Sequence, residues 1–128
     1  MAYPDKFKNR NFFSSVLHAL AGIIHTANQE SNFKYELMMA LFVTFVGLLF
    51  QIRSWEWIAL ILCIGLVLAS ELINTAIENT VDLFAGNQYY DLAKQAKDAA
   101  AGAVLVISIM ASIIGLLIFV PYFWALLP

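Results

Sequence analysis

Glu71, Asn74, Glu78 and Asp82 recur at i, i+3, i+7 and i+11. At about 100° per residue they fall near 0°, −60°, −20° and +20°, one narrow stripe of a helix. Carboxylates one or two turns apart repel unless something neutralises them. Magnesium does so, because it takes hard oxygen ligands from one or two carboxylates together with phosphates. The plainer alternative is a helix end emerging into water, which suits Asp82. It suits Glu71 less well, since Glu71 directly follows an apolar run ending at Ala69. Glu30 adds a carboxylate at another chain boundary, and Lys97 with Asp98 adds a cation and an acid. Lys97 reads either as an ion-pair partner or as a phosphate ligand. Acidic metal ligands, a cation and a carboxylate near a membrane boundary together suit phosphoryl transfer to a lipid head group. That reaction needs charge neutralisation at phosphate and a group to take the hydroxyl proton.

Other catalytic templates are missing from the sequence. The glycines stand at 22, 47, 65, 86, 102 and 115, and none precedes Lys, so no phosphate-binding loop of the G-x-x-x-x-G-K-[ST] kind exists. There is no kinase-type glycine loop, serine nucleophile elbow or H-E-x-x-H. His18 and His25 lie seven apart without a cysteine nearby, a poor basis for zinc. Cys63, the one cysteine, sits inside an apolar run, so no internal disulfide forms and the residue reads as a small apolar filler. A net charge of −2 gives no reason to expect nucleic acid as a partner.

The elements that must position these groups are membrane helices. The chain is 62% hydrophobic and 12% charged, against about 45–50% and about 25% in soluble domains. Residues 99–120 contain no charge and no proline, and about 20 such residues cross a hydrocarbon core of about 30 Å. At 128 residues the chain excludes a multidomain enzyme, a large transporter bundle and a separate soluble nucleotide-binding domain. Asp5, Lys6, Lys8, Arg10 and Asn11 precede any apolar run, so no secretory leader is expected. Phe13, Val16, Leu17, Leu20, Ile23, Ile24 and Ala27 form one helical stripe. It predicts an interfacial amphipathic helix over 12–29, with Ser14 or Ser15 as cap. Spans are expected over 31–52, 55–84 and 92–120, with Arg53 to Trp57 as a turn, 85–91 as a loop and Pro121 as the last helix's stop. The expected fold is an all-α membrane protein with one domain over 1–128. Six Lys or Arg flank one side of the spans (Lys6, Lys8, Arg10, Lys34, Lys94, Lys97) and Arg53 the other. The positive-inside rule then puts the N-terminus and the 83–98 loop in the cytoplasm.

The segment ELINTAIENTVD, residues 71–82, resembles the E-x-x-N-[ST]-[AS]-x-E-x-x-x-D signature of the small bacterial integral-membrane lipid kinases. That family comprises prokaryotic diacylglycerol kinases and the undecaprenol kinases of Gram-positive bacteria. The resemblance extends to E-x-N-F at Glu30 to Phe33 and to AKDAAAGAVLV, residues 96–106, with fitting spacing over most of 12–115. It implies that Glu71 is the general base acting on the lipid hydroxyl, and so the substrate-contacting residue. It further implies that Glu30 and Glu78 hold Mg2+ on ATP. Asn74, Lys97 and Asp98 match nucleotide-site residues, Lys97 meeting phosphate, and Gln88, Tyr89 and Tyr90 occupy the stretch near the nucleotide. The 83–98 loop carries one inserted residue relative to the diacylglycerol kinase pattern. A family arginine aligns onto Asn11, beside Arg10, and its role is not carried over; His18 is a weak candidate for the same region.

The resemblance also implies a homotrimer in the bacterial plasma membrane with active sites between protomers. The run Ala100 to Val104 is more similar to the Gram-positive branch, which favours undecaprenol as acceptor and undecaprenyl phosphate as product. Diacylglycerol, giving phosphatidic acid, is the second acceptor. A reading from another class is a non-enzymatic cation-conducting or assembly subunit whose acids line an ion path.

Overall fold

The computed structural model describes residues 11–86 and 88–126. Lys6, Lys8 and Arg10 of the basic count, and Asn87 of the expected loop, lie outside them. Among the described residues the chain is all-helical: α1 Phe12–Gln29, α2 Ser31–Phe50, α3 Ser54–Ala85 and α4 Asp91–Trp124. α2, α3 and α4 are long and apolar enough to cross a membrane. The dominant contact is α3 against α4, with α2 on α3 and α1 touching α2 and α3.

α1 starts one turn earlier than a serine cap requires. Asn11 is the N-cap, without a side-chain cap, and the Ser15 N–H and hydroxyl both donate to the Asn11 carbonyl (3.2 and 3.4 Å). Ser14 and Ser15 are thus helical residues, drawn in by the apolar stripe that begins at Phe12 and Phe13. The chain then breaks at Glu30, which is extended (φ −96°, ψ 119°) and whose N–H closes α1 on the Thr26 carbonyl at 2.8 Å. Phe33, 2% exposed, pins the start of α2 immediately beyond.

α2 ends in a Schellman arrangement. The Ile52 N–H donates to the Gly47 carbonyl and the Gln51 N–H to that of Leu48, each at 3.2 Å. Gln51 takes the left-handed position (φ 50°, ψ 49°) usually given to glycine, at a cost of about 1–2 kcal/mol. The expected turn Arg53 to Trp57 is shorter than the sequence suggests, because α3 already begins at Ser54. Glu56 is the reason: its carboxylate accepts the Arg53 N–H at 2.7 Å and so caps the helix. The same oxygen accepts the Tyr122 hydroxyl at 2.6 Å, tying α3 to α4.

α4 does not stop at Pro121 but continues to Trp124. A proline costs a helix one ladder bond and a clash with the preceding turn. Here only the final turn is affected, and Tyr122 on Glu56 and Phe123 edge-on to Phe50 (4.8 Å) hold that turn in place. The core lies at this end, formed by Val46, Ile52, Leu60, Ile118 and Phe119. Among lipid tails, burial of apolar area drives little helix association, so close packing and hydrogen bonds must do it. Gly47 supplies such packing: a Cβ there would stand 3.0 Å from Trp57 Cη2.

Helix rise sets the depth of the acids. Counting about 20 residues inward from Ser54 reaches residue 74 at the far edge of a ~30 Å core. Glu71 lies just inside that edge, Asn74 on it, and Glu78 and Asp82 beyond it. Counting back from Trp124 on α4 places Lys97 and Asp98 beyond the same edge.

Candidate active site

α3 carries the acidic stripe to the edge of the apolar layer, and the break at Glu30 brings the α1–α2 junction beside it. Glu71 is 3% exposed and Asn74 8% exposed, so the stripe faces protein at this level. Glu30 and Glu78 both stand within Coulombic range of the Glu71 carboxyl, with the Asn32 side chain beside it. Glu36, on the same face of α2 as Asn32, is a fourth acid within Coulombic range of Glu71. The Asn74 amide donates to Glu78 Oε1 at 3.1 Å, which fixes that carboxylate's direction.

Two oxygens in this cluster are unusual. Asn74 Oδ1 and Glu36 Oε2 are buried without a hydrogen-bond partner. Most buried polar atoms are paired, and orphans mark catalytic or ligand sites often enough to require an account. Asn74 Oδ1 and the Glu78 carboxylate are hard oxygens of the kind a divalent cation takes. Among the described residues no three acidic, histidine or cysteine side chains are placed to hold a metal ion by themselves. Two carboxylates plus phosphate oxygens would be the donor set here, the composition magnesium accepts.

The structure gathers Glu30, Glu71, Asn74 and Glu78, but not the other expected residues. Lys97 donates to both oxygens of Asp82 (2.9 and 3.1 Å) and is in Coulombic range of Glu78. Asp82 is about 16 Å along α3 from Glu71 at 1.5 Å per residue. Asp98 is paired with Lys94 one turn away. Tyr90 donates to Gln88 Oε1 at 2.6 Å, while Gln88, Tyr89 and Tyr90 are all exposed. These residues form a solvent-facing end of α3 and α4, beyond the buried acids. His18 is exposed on α1 and makes no hydrogen bond among the described residues.

Glu36 and Asn32 were missed by pattern reading. The available signal was the one that marked Glu71: a carboxylate bordering an apolar run, here LMMALFV. Below Glu36 an apolar groove of about 490 Å3 runs between α2, α3 and α4. Its size falls within the 300–1,000 Å3 usual for small-molecule sites.

Residues 17–119 match the family model of prokaryotic diacylglycerol kinase. An undecaprenol kinase of Bacillus subtilis is 48% identical over 110 residues, covering 86% of this chain and 89% of that protein. A diacylglycerol kinase of Synechocystis is 38% identical over 105 residues, covering 82% of this chain and 60% of that protein. A diacylglycerol kinase of Escherichia coli K12 is 32% identical over 84 residues, covering 66% of this chain and 68% of that protein.

Proposed function

The chain belongs to the prokaryotic diacylglycerol kinase family and is a membrane lipid kinase, and from that premise we propose that it phosphorylates undecaprenol with ATP. The observation that carries the reading is Glu71, buried among acids at the edge of the apolar layer and beside a groove fit for hydrocarbon. Kinase membership sets aside the alternative of a non-enzymatic cation path along the same acids.

In this reading Glu71 takes the proton of the lipid hydroxyl as the oxygen attacks the γ-phosphorus. The bond to the bridging oxygen of ADP breaks, and the products are undecaprenyl phosphate, ADP and the proton held on Glu71. A base so placed, with its acidic neighbours and low hydration, is poised for general base catalysis. Glu30 and Glu78 would hold Mg2+, which offsets phosphate charge when bound. Asn74 orients Glu78 through its amide and offers its free Oδ1 to the same place. Lys97 is to leave Asp82, or share it, to meet phosphate; Asp98, Gln88, Tyr89 and Tyr90 complete the nucleotide side. His18, on α1, makes no hydrogen bond among the described residues and is assigned no step.

The Lys97 end and the Glu71 cluster sit at different levels of one chain. A homotrimer, in which one protomer's nucleotide residues meet another's base, would bring them together. α1 would lie in the interface with its uncovered stripe toward lipid. The basic count supports a cytoplasmic N-terminus in the bacterial plasma membrane, on the ATP side. Undecaprenol is preferred over diacylglycerol as acceptor because of the Bacillus subtilis relative. The test is phosphorylation by purified protein with Mg-ATP and each lipid in parallel. Equal or greater kcat/KM for diacylglycerol would overturn the acceptor, and no transfer to either lipid would overturn the reaction.

A further inference from the structure

The groove below Glu36 is bounded on α3 by Leu60 to Leu68 and on α4 by Ser108 to Phe119. At 1.5 Å per residue these stretches are about 12 and 16 Å long, roughly half of the ~30 Å hydrocarbon core. Its upper end is Glu36, whose buried Oε2 lacks a donor and which stands within Coulombic range of Glu71. The walls are apolar side chains, with Cys63, Ala111 and Gly115 as small residues at mid-depth. A hydroxyl entering between Glu36 and Glu71 gives the orphan oxygen a donor and leaves its alkyl chain to run down the groove.

Resting on the kinase reading above, we propose that the groove encloses only the head-proximal segment of the acceptor's hydrocarbon chain, so the enzyme reads nothing of that chain beyond the segment. Chain outside the groove is surrounded by lipid in both free and bound acceptor, and only a difference between the two states contributes to selectivity.

The experiment compares geraniol, farnesol, geranylgeraniol and undecaprenol in one detergent, with acceptor expressed as mole fraction in the micelle. Farnesol in extended form matches the groove's length; geraniol ends above Gly115. The expected kcat/KM rises about tenfold or more from geraniol to farnesol, the scale of an unfilled apolar subsite, and is then level to undecaprenol. A steady climb from farnesol to undecaprenol overturns the inference while leaving the lipid kinase intact. Failure to phosphorylate any alcohol overturns both. Gly115→Leu adds a structural check, because a Cβ there meets nothing within 4 Å and its side chain enters the groove rather than packed protein. It should lower the farnesol-to-geraniol ratio of kcat/KM about tenfold with KM for Mg-ATP unchanged. An unaltered ratio would place the acceptor chain elsewhere. Should that variant misfold, Ala111→Leu probes the same wall, and the chain-length series stands without either.

Discussion

Replacing Glu71 by glutamine keeps the volume and hydrogen-bonding reach of the side chain and removes its basicity. Loss of a positioned general base is typically worth about 10²–10⁴-fold, or about 3–5 kcal/mol of barrier at 1.36 kcal/mol per decade. The structure narrows that range. Glu36 stands close to Glu71 and has a carboxyl oxygen without a partner, so it can take the proton less effectively in the variant. The single Glu71→Gln change should therefore fall near 10²-fold in kcat, and Glu71→Gln with Glu36→Gln toward 10⁴-fold. Folding should not suffer. Glu71 is buried beside Glu30 and Glu78, and neutralising one of three neighbouring carboxylates relieves repulsion. The assay is steady-state phosphorylation at saturating Mg-ATP and acceptor, with thermal unfolding measured in the same detergent. A variant with near-normal kcat would refute the base. A variant with a lowered unfolding midpoint and a proportional loss of activity would refute the like-charge argument and make Glu71 structural.

Glu30→Gln and Glu78→Gln should each raise the magnesium concentration needed for half-maximal activity and weaken nucleotide binding, while Asn74 retains an acceptor at position 78; an unchanged Mg-ATP titration for both would make these acids structural. Asp82→Asn removes the charge that holds Lys97 in an exposed pair, so KM for Mg-ATP should stay level or fall, and a rise would mean the pair positions the nucleotide side. Gly47→Val should lower stability by about 1–3 kcal/mol through overpacking, since its Cβ would stand 3.0 Å from Trp57; thermal unfolding at unchanged kcat checks it. For topology, a cysteine at Gln88 should react with an impermeant thiol reagent only after cells are opened and one at Ser54 in intact cells, with Cys63 replaced by alanine in both; the reverse labelling would remove access to cytoplasmic ATP.

Much of this protein is written in local terms. An apolar run that crosses a bilayer on its own forms a helix there, because outside a closed barrel every backbone N–H and C=O must find its partner within the segment. The count of helices therefore follows from the runs around residues 37–52, 58–69 and 99–120, and α1 from its 3.6-residue stripe. The stripe Glu71, Asn74, Glu78 and Asp82 is likewise legible, since helical spacing alone puts it on one face, and the twelve-residue signature ELINTAIENTVD already points to the family. Element ends were less legible, because each is settled by a contact from elsewhere. α3 opens at Ser54, one residue before the expected 55, through Glu56, and α4 outlasts Pro121 because Tyr122 and Phe123 are held by residues of α3 and α2.

Only the tertiary structure decided which polar residues share a site. Charge spacing along one helix says nothing about the depth of a neighbouring helix, so Glu36 and Asn32 beside Glu71 appear only once α2 is packed. Antiparallel packing of α3 and α4 likewise assigns Lys97 to Asp82 and not to Glu71. The groove below Glu36 has no sequence pattern at all. It arises from small residues on three helices, and a gap between surfaces exists only where those surfaces meet.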